Sequence, residues 1–271
     1  LVKDGRFSYP RILKGMEAEL RVGATFRSKL VEEQGAIRNQ MIRWLDRYFP
    51  EFSQVFPSFG KMALAVLEYT PFPSDLAGKE LEEVLALYRQ SEGLQSPQKP
   101  KAKKLIELAQ HSIGVTEGQQ MARIEIATLV RRYRQLEEEI EALTEQLVEL
   151  VQTSVEYEWL KTVPGLGDAT IVELLSEIGS FSHYQDPRQL IKLAGLTLRE
   201  HSSGQHKGQK RISKRGRRRL RALLFRVMMP MIRHNEAFRQ LHDYYTTRPD
   251  NPLRKKQSIV VLCGKLLKVL H

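Results

Sequence analysis

The chain has 271 residues, 41% of them hydrophobic, and 43 Lys and Arg against 32 Asp and Glu give a net charge of +11. That length and apolar content support one large or two modest folded domains and exclude wholesale disorder. The basic surplus favours an anionic partner, nucleic acid first and an anionic membrane surface second.

No apolar run approaches the roughly 20 residues that a spanning helix needs, and no charged-then-apolar leader opens the chain. The single cysteine, Cys263 in SIVVLCGKLLKVL, excludes an internal disulfide and reads as core packing. Together these features read as a cytoplasmic protein with no membrane partner, from a cell without compartments. The first residue is Leu, and LVKDGRFSYP resembles the end of a helix and a loop, so the chain is read as a fragment.

From Gly15 to Tyr48, Leu20, Val22, Phe26, Leu30, Ile37, Met41, Trp44 and Leu45 recur at helical spacing, and Pro50 stops the helix they predict. A short apolar helix follows between Gly60 and Tyr69. Pro71 and Pro73 then break the chain, and Ser74 is placed to cap a helix running through Tyr88. The segment SEGLQSPQKPKAKK, from Ser91, is polar and Pro-containing and predicts a loop.

From Gln119 the pattern changes. Ile126, Leu129, Tyr133, Leu136, Ile140, Leu143, Leu147 and Leu150 alternate spacings of three and four between charged flanks. That is about four heptads of a coiled coil. The partner helix comes from a second subunit, making a homo-oligomer, or from an earlier helix of the same chain. One long amphipathic helix packed on its own domain is the other reading. Past Val155 the pattern is of short helices and tight turns, closing with two helices separated by TTRPDNPLRKK. Neither strand alternation nor an internal repeat is visible, so the fold class is mainly α.

Three neighbouring motifs carry chemistry. VPGLGDATIVELLSEIG has the form of a helix-hairpin-helix over residues 160–180: Pro164, Gly165, Leu166 and Gly167, then a helix with Ile171, Leu174, Leu175 and Ile178 on its apolar face. Glycines there permit positive φ and bare the amides at a helix N-terminus, which favours a phosphate oxygen irrespective of base sequence. An ordinary Gly-rich turn is the alternative, and Asp168 reads as a first-turn acid. Further on, Lys207, Lys210, Arg211, Lys214, Arg215, Arg217, Arg218, Arg219 and Arg221 form a basic run with no acid among them. Such density predicts contact with a phosphate backbone, and Arg217 and Arg221, at i and i+4, predict one helical face along one groove. Between the two lies Ser202-Ser203-Gly204, flanked by His201 and His206. By spacing alone a Ser-Ser-Gly turn is usually only a turn, because serine needs a base and a stabilised oxyanion to act as a nucleophile.

VPGLGDATIVELLSEIGSF, AGLTLREHSSG, ISKRG and LRALL resemble the C-terminal domain of the insertion-sequence "one-ten" family of bacterial transposases, whose members are bridge-RNA-guided serine recombinases. The resemblance is specific from Tyr157 to about Leu224. It implies an RNase-H-like domain of the RuvC type with four acidic residues that bind magnesium, then a coiled coil, then a transposase domain whose serine links covalently to DNA. On that pattern residues 1–115 are the helical remainder of the RuvC-like domain, 116–156 the coiled coil and 157–271 the transposase domain. The resemblance makes Ser203 the nucleophile, with Ser202 as runner-up, and DNA and a structured guide RNA the partners, in the bacterial nucleoid. The four acids align upstream of Leu1, so this chain is expected to hold no metal or cofactor and to bind nucleic acid without exchanging strands alone. The alternatives are a non-catalytic binding module with a coiled coil and an inactive remnant. Leu198 stands where the family usually has Pro, and Arg217 where it usually has Asn.

Overall fold

The computed structural model describes residues 12–199 and 211–271, and the described chain is mainly helical. It separates into two compact units, one of residues 28–142 and one of residues 1–27 with 143–271.

The unit of residues 28–142 begins within α1 (Gly15–Tyr48), which Phe49 and Pro50 end in a short 3-10 turn over Pro50–Gln54. There follow α2 (Lys61–Tyr69), α3 (Pro73–Leu76), α4 (Leu81–Tyr88), α5 (Lys99–Ala109) and the first part of α6 (Gln119–Val151). Aromatic residues fill the centre: Trp44 lies 4.9 Å from Tyr48 and 5.1 Å from Phe72, centroid to centroid. Met41, Phe49, Phe72, Val84, Leu85, Tyr88, Leu105 and Ile126 are fully buried around them. The Tyr88 hydroxyl shares a 2.6 Å hydrogen bond with Thr70, which satisfies a polar atom that burial would otherwise penalise.

Two elements of this unit differ from the sequence reading. The single helix from Ser74 to Tyr88 is two, because Gly78 takes a φ of +75° and ends α3 after one turn. The Asp75 carboxylate, not Ser74, accepts the amide of Phe72 at its start. The segment read as a loop from Ser91 becomes α5 at Lys99, where Pro100 sits in the first turn and loses no hydrogen bond. Its apolar residues Ala102 and Leu105, both fully buried, face the core.

The helix α6 has its seam where the heptads place it. In this unit the Trp44 indole donates to the Ala122 carbonyl at 3.0 Å and Arg132 bonds Glu33 at 3.3 Å, so α1 and α6 run antiparallel. In the other unit the same sense holds. A Cβ on Gly23 would stand 2.5 Å from Leu147 Cδ2, and Arg27 donates to Thr144 at 2.6 Å. The partner of the heptads is therefore an earlier helix of the same chain, and the seam that raised the expectation of a homo-oligomer is occupied internally.

The second unit adds α7 (Val155–Lys161), α8 (Asp168–Ile178), α9 (Pro187–Leu193), β1 (Leu198–Arg199), β2 (Arg211–Ile212), α10 (Arg218–His234), α11 (Glu236–Thr247) and α12 (Lys255–Leu270). Its core is one cluster in which Ile171 and Leu174 of α8 meet Leu220, Leu224 and Met228 of α10 and Leu262 and Leu266 of α12. Each such side chain contributes about 1.5–3 kcal/mol on burial, which fixes α8 centrally. Cys263 lies in this core, and burial pushes its thiol up to about 12. The antiparallel ladder, unforeseen from sequence, pairs Leu198 with Ile212 and Arg199 with Arg211. Two residues per strand are too few for alternation to register. It extends into the turn through Ser213 N to Thr197 O at 2.7 Å and Lys214 N to Gly195 O at 3.0 Å.

Candidate nucleic-acid interface

The hairpin between α7 and α8 has the two-helix form that its glycines predict. Gly165 adopts a φ of +97°, a conformation that costs a side-chain-bearing residue strain. Gly167, at φ −90°, is the N-cap of α8, and the first intrahelical bond runs from Ile171 N to Gly167 O at 3.0 Å. The amides of 168–170 precede that bond and are the terminal donors an anion would meet. Leu166 takes another part: its side chain is buried, and its amide donates to Val163 O at 3.2 Å. It anchors the turn.

Asp168 is in the first turn of α8, where its charge suits the helix dipole. The Tyr157 hydroxyl donates to its carboxylate at 2.8 Å and the Lys161 ammonium also bonds it. These contacts tie the two ends of the hairpin. Lys161 first and Tyr157 second hold the Asp168 carboxyl below the usual carboxylate range.

The basic run divides by direction. Arg217 donates to the Glu177 carbonyl, Arg219 to Thr25 at 3.0 Å, and Arg221 to the Ala194 carbonyl at 2.9 Å. Thus Arg217 and Arg221 both hold neighbouring backbone, each with further guanidinium donors. Lys214, Arg215 and Arg218 are exposed, and no ion pair is described for them. Arg211 lies at the start of β2, also exposed. Lys207, Lys210, Ser202, Ser203, His201 and His206 lie outside the described residues.

The ladder matters for those residues, because Arg199 and Arg211 are Cα partners that bring together the two ends of the serine-bearing segment 200–210. Beside it opens a groove of about 1260 Å³ between the ladder and the start of α12. Arg199, Arg211, Lys214, Arg254 and Lys256 line it with no acidic side chain. The sequence reading missed Arg254 and Lys256. A signal was present, since Arg254, Lys255 and Lys256 cluster at a helix N-terminus, the end where the dipole disfavours cations. Trp159, 65% exposed on α7 one turn before the hairpin, was missed as well.

Among the described residues no group of three or more Asp, Glu, His or Cys side chains is placed to hold a metal ion. No helix among them is long and apolar enough to cross a membrane.

Residues 157–243, which span the hairpin, the ladder and α10, match the model of the transposase IS116/IS110/IS902 family. The chain is 29% identical over 127 residues to the transposase for insertion sequence element IS1111A of Coxiella burnetii, covering 47% of this chain and 34% of that protein. It is 31% identical over 144 residues to the pilin gene-inverting protein of Moraxella lacunata, covering 51% and 44%. With the insertion element IS116 uncharacterized 44.8 kDa protein of Streptomyces clavuligerus it shares 27% over 170 residues, covering 62% and 42%. The matches thus span less than half the length of each of these relatives. Over residues 157–243 the chain is thus similar to the IS116/IS110/IS902 family of insertion-sequence transposases.

Proposed function

We propose that this chain supplies the serine domain of a recombinase that cuts and rejoins DNA strands at the ends of an insertion sequence through a phosphoserine intermediate, with Ser203 as the nucleophile. The observation that carries the reading is the family match at 157–243, supported by the cationic groove that Arg199, Arg211, Lys214, Arg254 and Lys256 line within the same unit. One similar protein is named a transposase and another a pilin gene inverter. Transposition and inversion share strand cutting and rejoining, which is the chemistry proposed.

In the proposed step Ser203 Oγ attacks a scissile phosphorus, and a P–O bond to serine forms as the P–O bond to one deoxyribose breaks. The serine proton ends on the released DNA hydroxyl. A second DNA hydroxyl then attacks the phosphoserine, restoring a phosphodiester and the serine without outside energy. Hairpin amides and exposed cations would hold the backbone on either side, by contacts that do not read bases. Sequence choice is assigned to a structured guide RNA, in keeping with the bridge-RNA-guided family that the motifs resemble, and the basic surplus suits a second polyanion. An adduct surviving denaturing electrophoresis is expected with insertion-sequence DNA and guide RNA. It should disappear in Ser203→Ala and persist in Ser202→Ala; persistence in Ser203→Ala overturns the assignment.

A further inference from the structure

The groove between the ladder and α12 has two chemistries on its walls. Lys214, Arg254 and Lys256 supply charge, while Leu198, Leu253 and Val261 supply apolar surface. All three cations are exposed, and none is in an ion pair among the described residues. Leu198 is 68% exposed and Val261 38%, so both present apolar surface to the groove.

The cations are also placed against local electrostatics. Arg254 is the N-cap of α12 and Lys256 its second residue, at the helix end that carries partial positive charge. A cation there is disfavoured relative to an acid. The Glu82 and Glu83 pair at the start of α4, and Asp168 at the start of α8, show the favourable choice elsewhere. An anion in the groove offsets the cost at α12, because the helix end, Arg254 and Lys256 then all attract it.

We infer that this groove holds an unpaired nucleic-acid strand, with its phosphates on Lys214, Arg254 and Lys256 and its bases against Leu198, Leu253 and Val261. This rests on the reading of the protein as a handler of DNA strands and names the form of strand held here. A duplex presents phosphates outward and keeps its base faces stacked, so it leaves the apolar wall without a partner. An unpaired strand offers charge and base faces together. The groove borders the ends of the serine-bearing segment, so it would receive a strand opened near the scissile phosphate.

The test is fluorescence anisotropy with the 271-residue chain, an unstructured oligothymidylate and a duplex of equal length. Arg254→Glu with Lys256→Glu is expected to weaken oligothymidylate binding by roughly ten-fold or more and to cut the slope of log affinity against log salt by about 1.4. Lys103→Glu with Lys104→Glu, the same charge change on exposed residues of α5, should leave the slope near that of the unmodified chain. Leu198→Ser with Val261→Ser should weaken oligothymidylate several-fold without changing the slope, and leave the duplex unaffected. Equal losses in the two charge-reversal variants overturn the groove, as does duplex binding that falls more than oligothymidylate binding in the first. Absence of binding to either nucleic acid overturns the groove and the proposed function together. Groove-dependent binding without a serine adduct overturns the proposed chemistry alone.

Discussion

Arg217 donates a guanidinium N–H to the backbone carbonyl of Glu177 and lies 3.7 Å from its carboxylate. Arg21 reaches the same carboxylate at 2.9 Å, and its second nitrogen donates to the same carbonyl at 3.1 Å. One helical turn earlier, Glu173 is held by Arg27 at 2.9 Å and by Arg226. Two glutamates on one face of α8 thus join α1 on one side to the start and middle of α10 on the other. The network holds Arg217 of the basic run at the start of α10. Where the resembling family usually has Asn, this chain has an arginine whose contacts are part of that brace.

Replacing Glu177 is therefore expected to loosen the packing of α10. Its side chain is only 9% exposed, and Glu177→Ala would leave the guanidiniums of Arg21 and Arg217 without their counter-charge. Breaking a partly buried, hydrogen-bonded pair of this kind costs about 2 kcal/mol. Urea unfolding followed by helical circular dichroism measures it, and an unchanged midpoint would remove the brace.

Gly165→Ala tests the hairpin. A residue with a Cβ at φ +97° is strained, and that Cβ would also stand 3.4 Å from Met231 Cγ. A loss of about 1–2 kcal/mol is expected. Duplex binding should fall along with it at temperatures where the helical signal is intact. If binding stays at its original level in the folded variant, the hairpin is a turn and nothing more.

Asp168 and Lys161 give a pH dependence with a definite sign. The Asp168 carboxyl is lowered, so its contribution is present above the unfolded value of about 3.9 and lost as pH falls through the folded value. Lys161 is raised by its bond to Asp168, so its share is present below about 10.4 and lost as pH rises through the folded value. The hairpin tie is at full strength between those limits. Carboxyl NMR titration should place Asp168 below 3.9, and Lys161→Met should move it upward; no movement would show that the lysine is not the cause.

Cys263 should resist thiol reagents in the folded protein. Buried on α12 with its thiol pushed up to about 12, it has almost no thiolate at neutral pH. Labelling with a disulfide reagent is expected to be slow in buffer and fast in denaturant. Rapid native labelling would mean that α12 opens readily, with consequences for the groove it borders.

Much of this was legible in one dimension. The heptads from Ile126 to Leu150 specified which face of α6 is buried, because burial follows a 3.6-residue period that sequence displays directly. Pro50 and the glycines of the hairpin marked chain reversals, since their backbone limits are local. The two helices in place of one from Ser74 to Tyr88 were harder to see, since Gly78 ends α3 by its conformation and nothing in the flanking pattern requires that. The basic run was plain as composition, yet composition is silent on direction.

Sequence by itself determined that the chain is helical and basic, with a Gly-rich hairpin and a Ser-Ser-Gly sequence ahead of a cationic helix, because propensity, charge and backbone freedom are properties of near neighbours. Tertiary structure alone decided that the heptads pair with α1 of the same chain, since a seam does not name its partner. It also decided that Arg217 and Arg221 hold neighbouring backbone while Lys214 joins Arg254 and Lys256 in a groove. Lys214 is 40 and 42 positions from Arg254 and Lys256 in the chain, and only the packing of α12 against α9 and α10 brings the ladder and the start of α12 to one surface.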